Sequence, residues 1–236
     1  WIRPGEHFEI TNIDSDPRFN DYWQHYHRIM ERRGVNPATA KAVVRSRSTV
    51  IGALMVERGE ADAMIGGTIG RFQRKLQYCQ DIVCLEGDIE APAAMSAVAC
   101  DRGTFFFLDT YVHADPSANE LATATIMAVE RLRVFGITAK VALLSHSNFG
   151  SEDSATSRKM RQVLELLRVR APELEVEGEM HADAALDATI RERLFPNSRL
   201  TGQANMFVFS NLDAANICFK MVRVLSGGVS LGPIVM

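Results

Sequence analysis

The sequence predicts an α/β fold with a mostly parallel sheet, on three observations. Thr104–Leu108, Val141–Leu144 and Met206–Phe209 are short apolar runs without polar alternation, the texture of strands covered on both faces. Between them lie longer stretches with apolar residues three and four apart, the spacing of amphipathic helices. Each apolar run empties into a polar segment, and in open α/β sheets ligands bind where the strands end.

Residues 1–20 are polar, with a short extended piece at His7–Ile13. Asp14, Asp16 and Pro17 turn the chain into a helix over Arg18–Arg33, with Phe19, Tyr22, Trp23, Tyr26 and Ile29 at helical spacing and Gly34 at its end. His25 and His27, two apart, fall on different faces and suit packing or solvent better than a metal. Asn36-Pro37 opens a second helix that runs to Arg45, with Pro37 at the first position, where a missing N–H costs nothing. A third, Ser48–Gly59, buries Val50, Ile51, Leu54 and Met55. Ala61–Ile65 reads as a short strand feeding Gly66–Gly70 and a helix over Arg71–Val83. Arg71, Arg74 and Lys75 there suit a phosphate-bearing ligand or a solvated basic face. The glycine spacing is not G-x-G-x-x-G, which argues against a dinucleotide loop.

The texture changes near Glu86, and the domain break is expected at 82–90, giving domains 1–85 and 86–236. Ala91–Cys100 is small and apolar, and Arg102-Gly103 is a hairpin-like turn before the strand Thr104–Leu108. Asp109–Val112 leads away from it. Ser117 and Glu120 have capping-box spacing and open a helix over Ala118–Phe135, closed by Gly136. After Val141–Leu144 and the segment Ser145–Ser151 comes a helix, Lys159–Ala171, burying Val163, Leu164 and Leu167. Leu174–Glu177 reads as a strand, Glu179–Asp183 as its exit and Ala184–Arg193 as a helix. Met206–Phe209 then leads into Ser210–Asp213 and a helix over Ala214–Leu225. Met180 and Met206 fill core gaps.

With 236 residues, 47% hydrophobic and 23% charged, the chain can bury a core without a metal or disulfide. A net charge of −3 and a pI near 6.1 leave no basic footprint for nucleic acid. Cys79, Cys84, Cys100 and Cys218 form no C-x-x-C pair and read as reduced core residues of a cytoplasmic protein. No run of 18 apolar residues and no signal segment is present, so no membrane is expected. A start at Trp1 and a stop after an apolar stretch suggest a piece of a longer polypeptide.

Ser145–Ser151, Ser-x-Ser-x-x-Gly-Ser, has the hydroxyls and flexible backbone to surround an anionic group; it could equally do no more than cap the next helix. It is expected to converge at one sheet edge with Gly66–Gly70, Asp109–Tyr111, Ser210–Asp213 and Glu179–Asp183. No G-x-S-x-G, H-E-x-x-H or P-loop is present, so neither a catalytic unit nor a metal site is spelled out. The residues alone lead to an α/β protein binding a phosphorylated small molecule in an interdomain cleft.

Five stretches, GEADAMIGGTI (Gly59–Ile69), ALLSHSNFGS (Ala142–Ser151), EGEMHADAAL (Glu177–Leu186), the run from Thr201 to Lys220 and GPIVM (Gly232–Met236), resemble the phosphotransacetylase (phosphate acetyl/butyryl-transferase) family, in the family's order. SHSNFGS, DTYVHADP (Asp109–Pro116), Val134–Ile137 and GEMHADAAL are similar to one branch, the C-terminal phosphotransacetylase-like domain of hybrid NADP-dependent malic enzymes. The resemblance implies two three-layer α/β subdomains with a cleft, of the phosphotransacetylase and isocitrate-dehydrogenase-like kind, residues 1–85 being a partial first domain. It implies a homodimer within a larger homo-oligomer, acetyl-CoA as effector and no cofactor in this domain. NADP and a divalent metal are implied for the malic enzyme domain of the same polypeptide, which oxidatively decarboxylates malate to pyruvate. The implied acetyl-CoA or phosphate contacts are Ser145, Ser147, Asn148, Gly150, Ser151, Asn211, Asp213, Lys220, Arg223, Arg71 and Arg74. Lys220 and Arg223 are the candidates for the nucleotide phosphates, Arg223 standing one position before the family's basic residue. Gln77 stands where active transferases carry an arginine, and their Ser-Arg pair and Asp belong to a segment beyond Met236. A non-catalytic regulatory domain is therefore the implied function; an active phosphate acetyltransferase and a purely structural dimerisation domain are the alternatives.

Overall fold

The computed structural model describes residues 2–67, 69–83 and 92–236, and the chain divides into two units, Trp1–Glu90 and Ala91–Met236. The sequence-predicted break at 82–90 and Cys84 fall almost wholly on residues outside the described set.

In the first unit α1 (Phe19–Met30) runs into a 3-10 turn, Glu31–Arg33, and is followed by α2 (Pro37–Ser46), α3 (Ser48–Glu57) and α4 (Phe72–Ile82). The Asn36 side chain accepts the Thr39 N–H and starts α2, with Pro37 inside the first turn. Tyr22, Tyr26, Met30, Val44, Val50, Leu54 and Ile82 close a core between these helices. The predicted strand Ala61–Ile65 does not form: residues 61–65 are irregular and Ile65 is fully exposed. A short apolar run becomes a strand only beside another strand that takes its hydrogen bonds, and the described residues of this unit supply none.

The second unit is built on a sheet whose described strands lie in the order β4-β3-β5-β2-β1-β6. They are β1 (Ala94–Cys100), β2 (Gly103–Leu108), β3 (Val141–Leu144), β4 (Val176–Met180), β5 (Met206–Val208) and β6 (Val229–Val235). β2, β5, β3 and β4 are parallel; β1 joins β2 as an antiparallel hairpin and takes β6 antiparallel on its other side. β1 and β6 are additions to the sequence reading.

Side chains alternate cleanly between two cores. Met95, Phe106, Leu108, Val141, Leu143, Met206 and Val208 face α5 (Ala118–Val134) and α6 (Ala155–Arg170). Val98, Phe105, Phe107, Ala142, Leu144 and Phe207 face the other way, onto α7 (Ala182–Leu186) and α9 (Leu212–Leu225). The unit is thus a helix–sheet–helix sandwich, as parallel sheets require when both faces are apolar. Ser117 and Glu120 exchange both capping-box bonds at the start of α5. A second box, Ser154 with Ser157, starts α6 four residues before the predicted Lys159.

Two predicted elements shift. β4 runs two residues beyond its predicted start and three beyond its predicted end, so Glu179 and Met180 lie in the strand and not in an exit loop. The expected helix Ala184–Arg193 is two short ones, α7 and α8 (Ala188–Leu194), because Asp187 breaks the run and caps α8 through Thr189 N–H. On the outer face of α9, Ile217, Met221, Val224 and Leu225 are exposed, as are Val229 and Leu231 of the edge strand β6.

Candidate functional site

The carboxyl ends of β2, β3 and β5 bring Asp109–Tyr111, Ser145–Ser151 and Ser210–Asp213 to one edge of the sheet, and His181 follows β4 there. Gly66–Gly70, Arg71 and Arg74 belong to the first unit; Arg71 and Arg74 are exposed at the start of α4, and Lys75 Nζ donates to the Gly67 carbonyl at 2.8 Å. Gln77, in the same helix, donates to Asp81 Oδ1 at 2.9 Å.

The Ser145–Ser151 loop is folded around a carboxylate. Glu179, 1% exposed on β4, accepts at Oε1 from Ser147 Oγ (2.7 Å), Gly150 N–H (3.0 Å) and Arg161 Nη1 (2.9 Å). Phe149 N–H donates to the Glu179 carbonyl at 2.8 Å, and Ser145 N–H to that of Met180 at 2.9 Å. Ser147 N–H bonds Ser145 Oγ, Asn148 N–H bonds Ser151 Oγ, Ser151 N–H bonds the Asn148 carbonyl and Glu152 N–H bonds Ser147 Oγ. Every backbone N–H from Ser147 to Glu152 therefore has an acceptor inside the protein. Ser147 is buried, whereas Ser145 and Asn148 are half-buried and Gly150 and Ser151 exposed. Asn148 Oδ1 accepts from His181 N–H (2.7 Å), and His181 Nε2 meets the His146 carbonyl at 2.7 Å, tying the loop to the end of β4.

Gly178 makes this possible. Its φ is +150°, and a Cβ there would lie 2.6 Å from the Leu143 carbonyl oxygen, so only glycine lets β4 close on β3 at this irregular step. The step turns Glu179 under the loop.

Asp109, nearly buried at the end of β2, organises the next loop. Its Oδ1 accepts from the N–H groups of Tyr111 (2.9 Å) and Val112 (3.0 Å), and its Oδ2 from the His113 N–H (3.1 Å) and ring Nδ1 (2.9 Å). That hydrogen bond raises the His113 pKa above its ordinary value, against an opposing effect of burial. Lys159 of α6 donates to Asp115 Oδ1 (2.6 Å) and to the carbonyls of Pro116 and Ser210, pinning the β2 and β5 loops together.

Asn211 is the cap of α9, its side chain accepting from Ala214 N–H, and Asp213 is exposed in the first turn. Lys220, one face further along α9, donates to the Tyr111 hydroxyl at 2.8 Å and lies over its ring. Arg223 is half-exposed one turn beyond. Glu179, Arg161, Tyr111 and His113 were outside the sequence-predicted site set, though Tyr111 and Glu179 lay in the loops singled out. A glutamate directly after a glycine at the end of a short strand is the one local signal for Glu179.

The family model for phosphate acetyl/butaryl transferase matches residues 2–236. The chain is 50% identical over 236 residues to the NADP-dependent malic enzyme of Escherichia coli (strain K12), covering all of this chain and 31% of that enzyme. It is 34% identical over 229 residues to the phosphate acetyltransferase of Paracoccus denitrificans, covering 92% of this chain and 70% of that enzyme. Its fold is similar to a phosphotransacetylase from Streptococcus pyogenes, with a TM-score of 0.85 and 26% identity over 97% of this chain and 69% of the other. The chain spans about a third of the length of the malic enzymes it matches.

Proposed function

The chain belongs to the phosphate acetyl/butaryl transferase family, and from that membership we propose that it is the acetyl-CoA-responsive, non-catalytic part of an NADP-dependent malic enzyme. The observation that carries this reading is the 50% identity to a malic enzyme over the whole chain, against 34% to a phosphate acetyltransferase. Gln77, engaged with Asp81 where active transferases of the family are expected to carry an arginine, supports the non-catalytic part.

In this reading the loops at the ends of β2, β3 and β5 receive acetyl-CoA. Lys220 and Arg223 take the nucleotide phosphates, and Ser145, Asn148 and Ser151 the other end; Arg71 and Arg74 are further phosphate candidates. Asn211 and Asp213 shape the site as cap and first turn of α9. NADP, a divalent metal and malate belong to the malic enzyme domain of the same cytoplasmic polypeptide. Binding preferentially to one conformation needs a coupling of only about 1–3 kcal/mol to change the other domain's activity about 5–150-fold. Self-association uses the apolar face of α9 with β6: Ile217, Met221, Val224 and Leu225 carry no charge for a polar partner, and a second β6 can extend the sheet edge about a twofold axis.

The second reading, an active phosphate acetyltransferase, draws on the likeness to the Paracoccus enzyme, of which this chain covers 70%. One pair of measurements on the full-length protein separates the two. Calorimetric binding of acetyl-CoA together with inhibition of NADP-dependent malate oxidation supports the regulatory reading. Formation of acetyl phosphate from acetyl-CoA and phosphate overturns its non-catalytic part.

A further inference from the structure

We propose that the Ser145–Ser151 loop receives the uncharged acyl-thioester end of its ligand and turns free phosphate away, because the Glu179 carboxylate already fills the loop's anion cradle. This rests on the acetyl-CoA reading above and sharpens it: it decides which end of the molecule the serine loop takes.

A phosphate held by a serine- and glycine-bearing loop needs backbone N–H groups turned towards it and a cation nearby. Neither is available in the folded loop. The N–H groups of Ser147 to Glu152 all point to internal acceptors, and Gly150 N–H and the Ser147 hydroxyl, the pair best placed to clamp an oxyanion, both point to Glu179 Oε1. The cation in contact with the loop's base, Arg161, divides its guanidinium between Glu179 (2.9 Å) and Asp153 (2.8 Å). Asp153 is in turn paired with Arg158. A second anion seated on this loop would lie beside a buried carboxylate whose partners are all engaged, and like charges at that range repel strongly away from water. Beside the exposed His146, whose carbonyl is tied to His181, the loop presents outward the uncharged hydroxyls of Ser145 and Ser151 and the Asn148 carboxamide nitrogen. Such donors suit a thioester carbonyl, which wants a hydrogen bond and brings no charge. Glu179 is thus a specificity-determining and positioning residue that touches no ligand itself.

The test uses the full-length protein and three probes: acetyl-CoA, CoA and inorganic phosphate. Acetyl-CoA is expected to bind about 5-fold tighter than CoA by calorimetry, the worth of one neutral hydrogen bond. Truncating Asn148→Ala and Ser151→Ala together should abolish that preference without abolishing CoA binding. Inorganic phosphate, compared with chloride at equal ionic strength, should leave acetyl-CoA affinity unchanged in the wild type. It should become a competitor in Glu179→Ala, which removes the charge and frees the Ser147 hydroxyl, the Gly150 N–H and Arg161. Equal binding of CoA and acetyl-CoA, or competition by phosphate in the wild type that Ser151→Ala removes, overturns the inference while the CoA-binding reading stands. Absence of binding by both CoA and acetyl-CoA overturns the underlying reading itself. The wild-type measurements decide the matter even where Glu179→Ala does not fold.

Discussion

Arg161 and Glu179 meet at 2.9 Å beneath the serine loop, the arginine a third exposed and the glutamate fully buried. Removing the arginine leaves a buried carboxylate with two neutral donors and no cation. Arg161→Met is therefore expected to destabilise the second unit by about 2–3 kcal/mol, a charged hydrogen bond plus part of the penalty for an unpaired buried charge. Urea unfolding of Arg161→Met beside Arg161→Lys checks it; the lysine should recover about half, since it keeps the charge and loses the fork that also reaches Asp153.

Gly178→Ala should cost more. The added Cβ meets Leu143 backbone at 2.6 Å in a strand buried on both sides, so neither partner can move aside. A loss of at least about 2 kcal/mol is expected. A variant that melts within a degree of the parent would contradict the tight approach of β3 and β4.

The pH dependence of the Asp109 loop has a definite sign. His113 is raised in the folded protein by Asp109, with Glu120 of α5 acting in the same direction. Protonated His113 thus stabilises the fold fully below its unfolded value of about 6.5, and that contribution fades as pH rises through the higher folded value. The stability difference between wild type and His113→Gln should accordingly be largest near pH 6 and shrink towards pH 9, read from urea midpoints at each pH.

Lys220→Ala removes a cation whose present partner is the Tyr111 hydroxyl. Acetyl-CoA affinity is expected to fall about 5- to 10-fold, more steeply at low salt, and the melting temperature to stay within about 2 °C, because a half-buried contact to a phenol contributes little to folding. Equal affinity of variant and parent would take Lys220 out of the ligand site.

Met221→Glu places a charge in the middle of the exposed stripe of α9. If this face joins two copies, sedimentation should show self-association weakened at least about 10-fold, with no loss of monomer stability since Met221 is exposed already.

How much of this could be read beforehand differs from strand to strand. β3 forms over the residues its uninterrupted apolar run indicated, and β2 and β5 within a residue or two, because a strand covered on both faces declares itself by composition alone. β1 has one strand-favouring residue, Val98, among three alanines, a methionine, a serine and a cysteine, and becomes a strand through the hairpin with β2. β6 was hidden by Gly232-Pro233, tolerable because an edge strand needs hydrogen bonds on one side only. The sequence reading put Glu177 at the end of a strand and Glu179 in the exit after it; their burial in β4 depends on partners far along the chain, Arg199 N–H and Arg168 for one, Ser147, Gly150 and Arg161 for the other. The serine loop was legible as a polar, glycine-bearing segment at a strand end for the same reason that its inner carboxylate was not. Serines and glycine cluster locally, whereas the group they enclose arrives from another strand.

The pairing of β6 with β1 also sets an order of events during synthesis. Ala93 and Met236 exchange N–H and carbonyl bonds, so the first strand of the second unit is completed by residues that are made long after it. At about 5–20 residues per second, β1 waits on the order of ten seconds with one hydrogen-bonding edge open. The nascent hairpin β1–β2 is in that interval a free template, and a chaperone or a neighbouring nascent chain has its opportunity before β6 does.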